Sequence, residues 1–476
     1  MRINMEKKNT WETYSSKQLK ELEKINAKYR DFLDNGKTER ECIDTIVNTI
    51  EKSGYRELES LIKEGAALKT GDKVYSVWMN KSIAMFQIGR KPMTEGMNIL
   101  GAHIDSPRLD VKQNPLYEDG GFAYLDTHYY GGVKKYQWVT IPLAIHGVIV
   151  KKDGTCVEIN IGENEDDPVF FVSDLLIHLA QEQLEKKAAK VIEGEALDII
   201  VGNKPLLIDK KDKKKDEKEA GKEAVKAGVL DILKETYDIR EEDFVSAELE
   251  IVPAGKAREA GFDRSMTLAY GQDDRVCAYT SMQAMLDSDV TDRTMCCILV
   301  DKEEIGSVGA TGMQSHFFEN AVAEVMNLTG EYSELHVRRC LAHSCMLSSD
   351  VSSAFDPTYA SSFDKKNVAY LGGGMVINKF TGARGKSGSN DANAEYLAHL
   401  RHIFDKAEVN FQTAELGKVD LGGGGTIAYI LALYGMNVID SGVAVLNMHA
   451  PWEATSKADV YETYRGYKAF VEGASL

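Results

Sequence analysis

From about residue 262 onward the sequence alternates short apolar runs with amphipathic stretches, and this alternation most constrains the fold. DDRVCAYTSMQAMLDS (273–288) reads as helix, MCCILV (295–300) as strand and ENAVAEVMNL (319–328) as helix. NDANAEYLAHLRHIF (390–404) and TIAYILALYG (426–435) continue as helices, while MNVIDSG (436–442) and AVLNMH (444–449) read as strands. Strands alternating with helices imply an α/β layered domain. Residues 16–65 read as helices, with Leu19, Leu22, Ile25, Tyr29 and Phe32 at helical spacing, and are followed by strands at 74–79, 83–89 and 97–105. The stretch 122–161 is rich in β-branched and aromatic residues with turn signals, and reads as a β-rich insertion into the α/β domain. A chain of 476 residues is long enough for two or three domains.

Polar residues with metal-binding chemistry recur where the apolar runs end. NILGAHIDSPRLD (98–110) carries His103 and Asp105, and YGQDDRVCAY (270–279) carries Asp273 and Asp274. DKEEIGSVGA (301–310) carries Glu303 and Glu304, CMLSSDVSSAFDP (345–357) carries Asp350, and AVLNMHAPWE carries His449. In open α/β sheets, ligand sites gather at the carboxyl ends of strands, so these five places can converge. Histidine and carboxylates without cysteine suit Zn²⁺, with Co²⁺ or Mn²⁺ as alternatives. Two metals need a bridging carboxylate and about two further ligands each. Asp273 as the bridge, with His103, Asp350, Glu304 and His449 around it, supplies that number. Asp105 is placed to fix the His103 tautomer. If Glu303 and Glu304 lie on an extended segment they face opposite ways, so Glu304 holds a metal while Glu303 moves a proton.

Taken singly, each word also reads as ordinary structure. The two glutamates fit a solvated turn, Asp273–Asp274 fits a helix cap, SSD (348–350) fits a turn, and a histidine after a strand fits a satisfied core residue.

Composition narrows the function. The net charge of −17, from 74 acidic and 57 basic residues, argues against a nucleic-acid surface and against attraction to anionic membranes. No apolar run is long enough to span a bilayer, and the polar N-terminus lacks a signal-peptide core. Seven cysteines without a CxxC pair fit reduced, buried thiols and a cytoplasmic location. The Lys-rich stretch 204–226 reads as a solvated loop leading into a helix. GARGKS (382–387) is no phosphate-binding loop, because Phe380 stands where the motif needs glycine. No GxSxG elbow is present, and the glycines of LGGGGT (421–426) suit close backbone packing or a substrate backbone near the site.

The order His-x-Asp, Asp-Asp, Glu-Glu, Asp, His resembles the M18 family of metalloaminopeptidases, the aspartyl aminopeptidase and aminopeptidase I group. GAHIDSPRLD, YYGG (129–132), GQDDR, DKEEIGS, SSD and NMHAPWE carry the resemblance, from about residue 98 to 453. It implies a phosphorylase/hydrolase-like α/β catalytic domain, formed by 1–108 and 261–476. It also implies an inserted β-rich domain at 109–260 that mediates dimerisation within a homododecamer. Two divalent ions are implied, one held by His103 and Asp350 and the other by Glu304 and His449, with Asp273 bridging. Glu303 would be the general acid/base, Asp105 the partner of His103, and the N-terminal residue of a peptide the group removed. His178, in DLLIHLAQ (174–181), is the candidate for a histidine entering a neighbouring subunit's site. Lys379 and Arg384 are candidates to contact the substrate. The sequence departs from eukaryotic aspartyl aminopeptidases at Ser353, where they place histidine, and this leaves the side-chain preference open. The alternatives are a dimetal N-acyl amide hydrolase and a non-catalytic assembly protein on the same fold.

Overall fold

The computed structural model describes residues 9–206 and 223–475; the core of the Lys-rich stretch, 207–222, lies outside the described residues. The chain divides into two compact units. The first comprises residues 1–106, 257–448 and 452–476, and the second comprises 107–256 with 449–451.

The first unit is α/β. Its nine-stranded sheet has four adjacent parallel strands at its centre: Thr294–Val300, Met97–His103, Cys345–Ser349 and Asn437–Gly442. The hairpin Lys73–Trp78/Ser82–Gln87 pairs antiparallel onto Thr294–Val300, and Met375–Asn378 pairs antiparallel onto Asn437–Gly442. Met97–His103 and Thr294–Val300 are buried at every position, because both faces of the sheet are covered. Alternate side chains enter opposite clusters. Leu100, Cys297, Leu347 and Ile439 join one, with residues from the helices Ser16–Asn35, Glu39–Glu51, Gln272–Leu286, Ala394–Lys406 and Lys457–Gly473. Ile99, Ile298, Met346 and Val438 join the other, with Leu58–Glu64, Phe317–Leu328, Glu334–Ala342 and Ala428–Ala432. The first two helices begin with reciprocal capping boxes, Ser15 with Gln18 and Thr38 with Glu41, which satisfy backbone N–H groups the helix leaves open. A separate five-stranded sheet runs from Arg258–Ala260 through Met266–Ala269, Glu453–Ser456 and Ala444–Leu446 to Ser352–Ser353.

The helix read at 426–435 is shorter than expected, Ala428–Ala432. In the preceding glycine run, a Cβ on Gly422 would lie 1.8 Å from the Leu416 carbonyl oxygen, so that backbone is committed to close packing.

The second unit holds a six-stranded, wholly antiparallel sheet: Cys156–Ile161, Leu143–Val150, Ala247–Pro253, Arg108–Asp119, Phe122–Tyr130 and Ile199–Gly202. Burial alternates along Phe122–Tyr130, as expected for a sheet covered on one face. All seven cysteines are free; six are buried, whereas Cys156 is exposed on the edge strand.

Candidate metal centre

The candidate site of the first unit lies where its parallel strands end. His103 is the last residue of Met97–His103, and Asp350 follows Cys345–Ser349 directly. The His103 Nε2 atom lies 3.3 Å from Asp273 Oδ1 and 3.9 Å from Asp350 Oδ1. On the other side of the ring, Nδ1 lies 3.2 Å from Asp105 Oδ1 and 3.0 Å from the Asp105 carbonyl oxygen. The ring is therefore held by its back nitrogen and aims its front nitrogen at two carboxylates.

Asp273 reaches the site through an unusual turn. Gly271 is left-handed at φ 68°, and a Cβ there would meet Arg275 Nη1 at 1.9 Å. Asp273 and Asp274 have non-helical backbone angles and are joined by a cis peptide bond. The Asp273 N–H donates to Glu453 at 2.9 Å, and its carbonyl accepts from Ser106 Oγ at 2.5 Å. The residue at the start of this helix is Gly271, which has no side chain to cap it, and both aspartates lie at a kink just inside. SSD is not a turn, since Ser348 and Ser349 belong to the strand.

The glutamate pair differs from the extended reading. The strand ends at Val300, Lys302 turns left-handed at φ 70°, and Glu303–Ile305 form one 3₁₀ turn. The adjacent side chains are thus set about a third of a 3₁₀ turn apart and not on the opposite faces of a pleat. The Asp105 carboxylate sets this turn: Oδ1 accepts from the Glu303 N–H and Oδ2 from the Glu304 N–H, each at 3.1 Å. Asp105 therefore orients His103 and presents both glutamates, a second role that its spacing from His103 did not signal.

Three overlapping groups have ligand atoms within 4.8 Å of one another: His103, Asp273 and Glu304; His103, Glu303 and Asp350; and Asp273, Asp274 and Asp350. Asp274, named with Asp273 in the sequence but given no ligand role there, joins the third group. It is fully buried, beside the Cys277 thiol. Burial, with the neighbouring charges of Asp273 and Glu303, pushes its carboxyl well above the usual range against the pull of His103. Asp350 is pushed up by burial and by Asp274. At His103 burial opposes protonation, but hydrogen bonds to Asp105 and Asp273 outweigh it and raise the imidazole. Crowded, buried carboxylates around one imidazole need positive charge among them. With no cysteine in the set, the donors fit a zinc-class divalent cation.

The remaining candidates are not in these three groups. His449 belongs to the second unit, where its Nδ1 lies 2.9 Å from the Gly132 carbonyl oxygen. A Cβ on Gly132 would come 3.4 Å from that nitrogen, an ordinary contact distance. His178 is exposed on the turn Ile177–Leu179, at the edge of a cavity of about 820 Å³ in the same unit. Lys379 is engaged by Asp391 at 2.6 Å.

A sequence profile described as "Aminopeptidase I zinc metalloprotease (M18)" matches residues 32–471. The chain belongs to the M18 family of zinc metalloaminopeptidases. A Clostridium acetobutylicum protein described as "Probable M18 family aminopeptidase 1" is 63% identical over 98% of each chain. The crystal structure of an M18 aminopeptidase from Thermotoga maritima superposes with a TM-score of 0.92 at 44% identity, covering 99% of this chain and 100% of that one. Aminopeptidase I from Clostridium acetobutylicum gives 0.89 at 60% identity, covering 98% and 99%. The S. cerevisiae mApe1 dodecamer shares the fold at 20% identity, with a TM-score of 0.74 and coverage of 94% and 96%. As an M18 peptidase the chain is a hydrolase. Among the described residues no helix is long and apolar enough to cross a membrane.

Proposed function

We propose that this M18 aminopeptidase works with two divalent ions, zinc first and cobalt or manganese as substitutes. His103 and Asp350 would hold one ion, Glu304 and His449 the other, with Asp273 shared. The single observation that carries this reading is the convergence of His103, Asp273, Glu304, Glu303 and Asp350 into overlapping ligand groups. When bound, the ions supply Lewis acidity to the scissile carbonyl and lower the pKa of water. Asp105 keeps the His103 ring and the Glu303–Glu304 turn in place, so neither has to reorganise during turnover. Glu303, on that turn, accepts a proton from the attacking water at its carboxylate and returns it to the nitrogen of the departing peptide.

The chain's own partners follow from the same reading. Peptides with a free N-terminus are the substrates. The β-rich unit, placed at 109–260 by the sequence, would mediate dimerisation within a homododecamer, with His178 entering a neighbouring subunit's site. A related fold that assembles as a dodecamer supports this.

The test is hydrolysis of a panel of aminoacyl-anilides before and after chelation, with Zn²⁺, Co²⁺ and Mn²⁺ restored separately. Activity should vanish with the chelator and return with metal. Cleavage of N-acylated substrates alone would overturn the aminopeptidase assignment in favour of a deacylase.

A further inference from the structure

Two of the words that mark the strand ends carry polar residues that the metal reading does not use. GQDDR supplies Asp273, but Gln272 stands before it; NMHAPWE supplies His449, but Glu453 ends it. In the first unit these two unused residues meet. Glu453 opens the strand Glu453–Ser456, which runs antiparallel to Met266–Ala269 with Glu453 opposite Ala269. Gln272 and Asp273 follow Ala269 by three and four residues.

The contact is reciprocal. The Gln272 side chain reaches the Glu453 backbone, its Nε2 donating to the Glu453 carbonyl at 2.6 Å. The Glu453 side chain reaches back and accepts the Asp273 N–H at 2.9 Å. The Gln272 amide is held at both ends: Nε2 also donates to the Thr267 carbonyl at 3.1 Å, and Oε1 accepts from Tyr29 at 3.1 Å and from Thr455 at 2.7 Å. Tyr29, Gln272, Asp273, Glu453 and Thr455 are all buried. The arrangement is that of a capping box, but split between a helix and a distant strand. The cap position of the helix is Gly271, which has no side chain to offer its N–H groups, so the strand serves one of them instead.

The other flank is held as well. The Asp273 carbonyl accepts from Ser106 Oγ. A Cβ on Gly271 would stand 3.1 Å from that hydroxyl and 1.9 Å from Arg275 Nη1, so glycine is what lets the turn close. The backbone of Asp273 is thus gripped at its N–H by Glu453 and at its carbonyl by Ser106. An aspartate carboxylate stands one methylene from its Cα, so a fixed backbone fixes the carboxylate to within two bond rotations. The grip leaves Asp273 Oδ1 3.3 Å from His103 Nε2.

We propose, resting on the two-ion reading, that Glu453 is the positioning residue for Asp273, the ligand that reading shares between the ions. Glu453 is not a ligand itself; it acts through the Asp273 N–H. With that acceptor gone, a buried N–H has to find another partner, and the backbone that carries the shared carboxylate shifts to do so. Because Asp273 serves both ions, both are then held more weakly. What Glu453 supplies is an oxygen at one place, so an amide oxygen there serves nearly as well.

The experiment titrates the zinc-loaded full chain with a chromophoric chelator and reads the zinc each variant gives up, with thermal unfolding of the stripped protein measured beside it. Glu453→Ala should weaken zinc binding by about 10–100-fold, the usual cost of losing a residue that orients a ligand. Glu453→Gln, which keeps the length and an oxygen acceptor, should stay within about threefold of wild type. Glu453→Asp, which withdraws the carboxylate by one methylene, should fall with the alanine variant, and takes its place if the alanine variant does not fold. Wild-type zinc affinity in the Ala and Asp variants, however far their unfolding temperatures drop, would overturn the proposal, since Glu453 would then only support the fold. So would equal losses in the Gln and Ala variants, which would assign the effect to the charge of Glu453. A wild-type chain that takes up fewer than two ions would instead reject the two-ion reading on which the proposal rests.

Discussion

The two principal sheets are built from similar residues yet are used differently. In the nine-stranded sheet the central strands are buried along their whole length, and helices cover both faces. Burying an unpaired polar group is costly, so such strands keep most of their polar chemistry to their ends. His103, Asp350 and the Glu303–Glu304 turn are all found at or just beyond strand ends. In the six-stranded sheet of the second unit, polar and apolar positions alternate, and charged groups are spread along the strands. Arg108, for example, pairs with Asp110 at 2.7 Å and Glu250 at 3.2 Å and stacks on Tyr130. A sheet covered on both faces concentrates function at one edge, whereas a sheet covered on one face distributes its polar contacts.

That contrast can be broken most sharply at the strand ends. Glu303→Gln should lower kcat by at least ~10²-fold while bound metal, counted by elemental analysis, stays at the wild-type level. Near-normal turnover would remove Glu303 from the proton-transfer role.

Within the buried strands, Ile298→Ala removes a fully buried side chain from the second apolar cluster and should cost about 2–5 kcal/mol in denaturant unfolding. A loss below ~1 kcal/mol would mean that the sheet relaxes around the gap more freely than a two-sided core should.

Asp459 offers a milder test, through pH. Its carboxylate accepts from the N–H groups of Gly372 and Gly374, each at 2.8 Å, yet burial raises its pKa from 3.8 to about 8, with Glu462 adding to the rise. The folded state therefore holds this proton more tightly than the unfolded chain. Stability contributed by the group is complete below 3.8 and declines as pH rises to about 8, because the unfolded chain ionises first. Asp459→Asn should flatten the stability profile across that window. An unchanged slope in thermal or denaturant unfolding would assign the dependence to other groups.

The smallest effect is expected on the edge strand of the second unit. Glu158→Ala, at an exposed position, should change stability by no more than ~0.5 kcal/mol. A larger loss in the isolated chain would mean that this edge is more tightly committed than its exposure indicates.

Much of this is legible in the order of the amino acids. The helix–strand alternation from residue 262 identifies the α/β layers, since hydrophobic periodicity reports the faces an element buries. The strand-end words identify His103, Asp105, Asp273, Glu303, Glu304 and Asp350 as candidates, and all six take part in the geometry of the strand-end site. The extended reading of Glu303–Glu304 fails because nothing in DKEEIGS announces that Lys302 turns left-handed. Asp274 is named beside Asp273 but receives no ligand role, because an acidic residue at a helix start has a simpler explanation, in capping.

Sequence alone determined which residue types stand at the strand ends, and in what order, because the identity of a ligand is a local property. Tertiary structure alone decided the rest. The strap from Asp105 to the 303–304 turn joins residues 198 and 199 positions apart. Gly101, Ser348, Asp440 and Asn378 stand side by side only once four strands pair in one register. A one-residue slip in any of those strands would turn its side chains to the opposite face. Register is a collective outcome of packing both faces of the sheet, and no short stretch of the chain contains it.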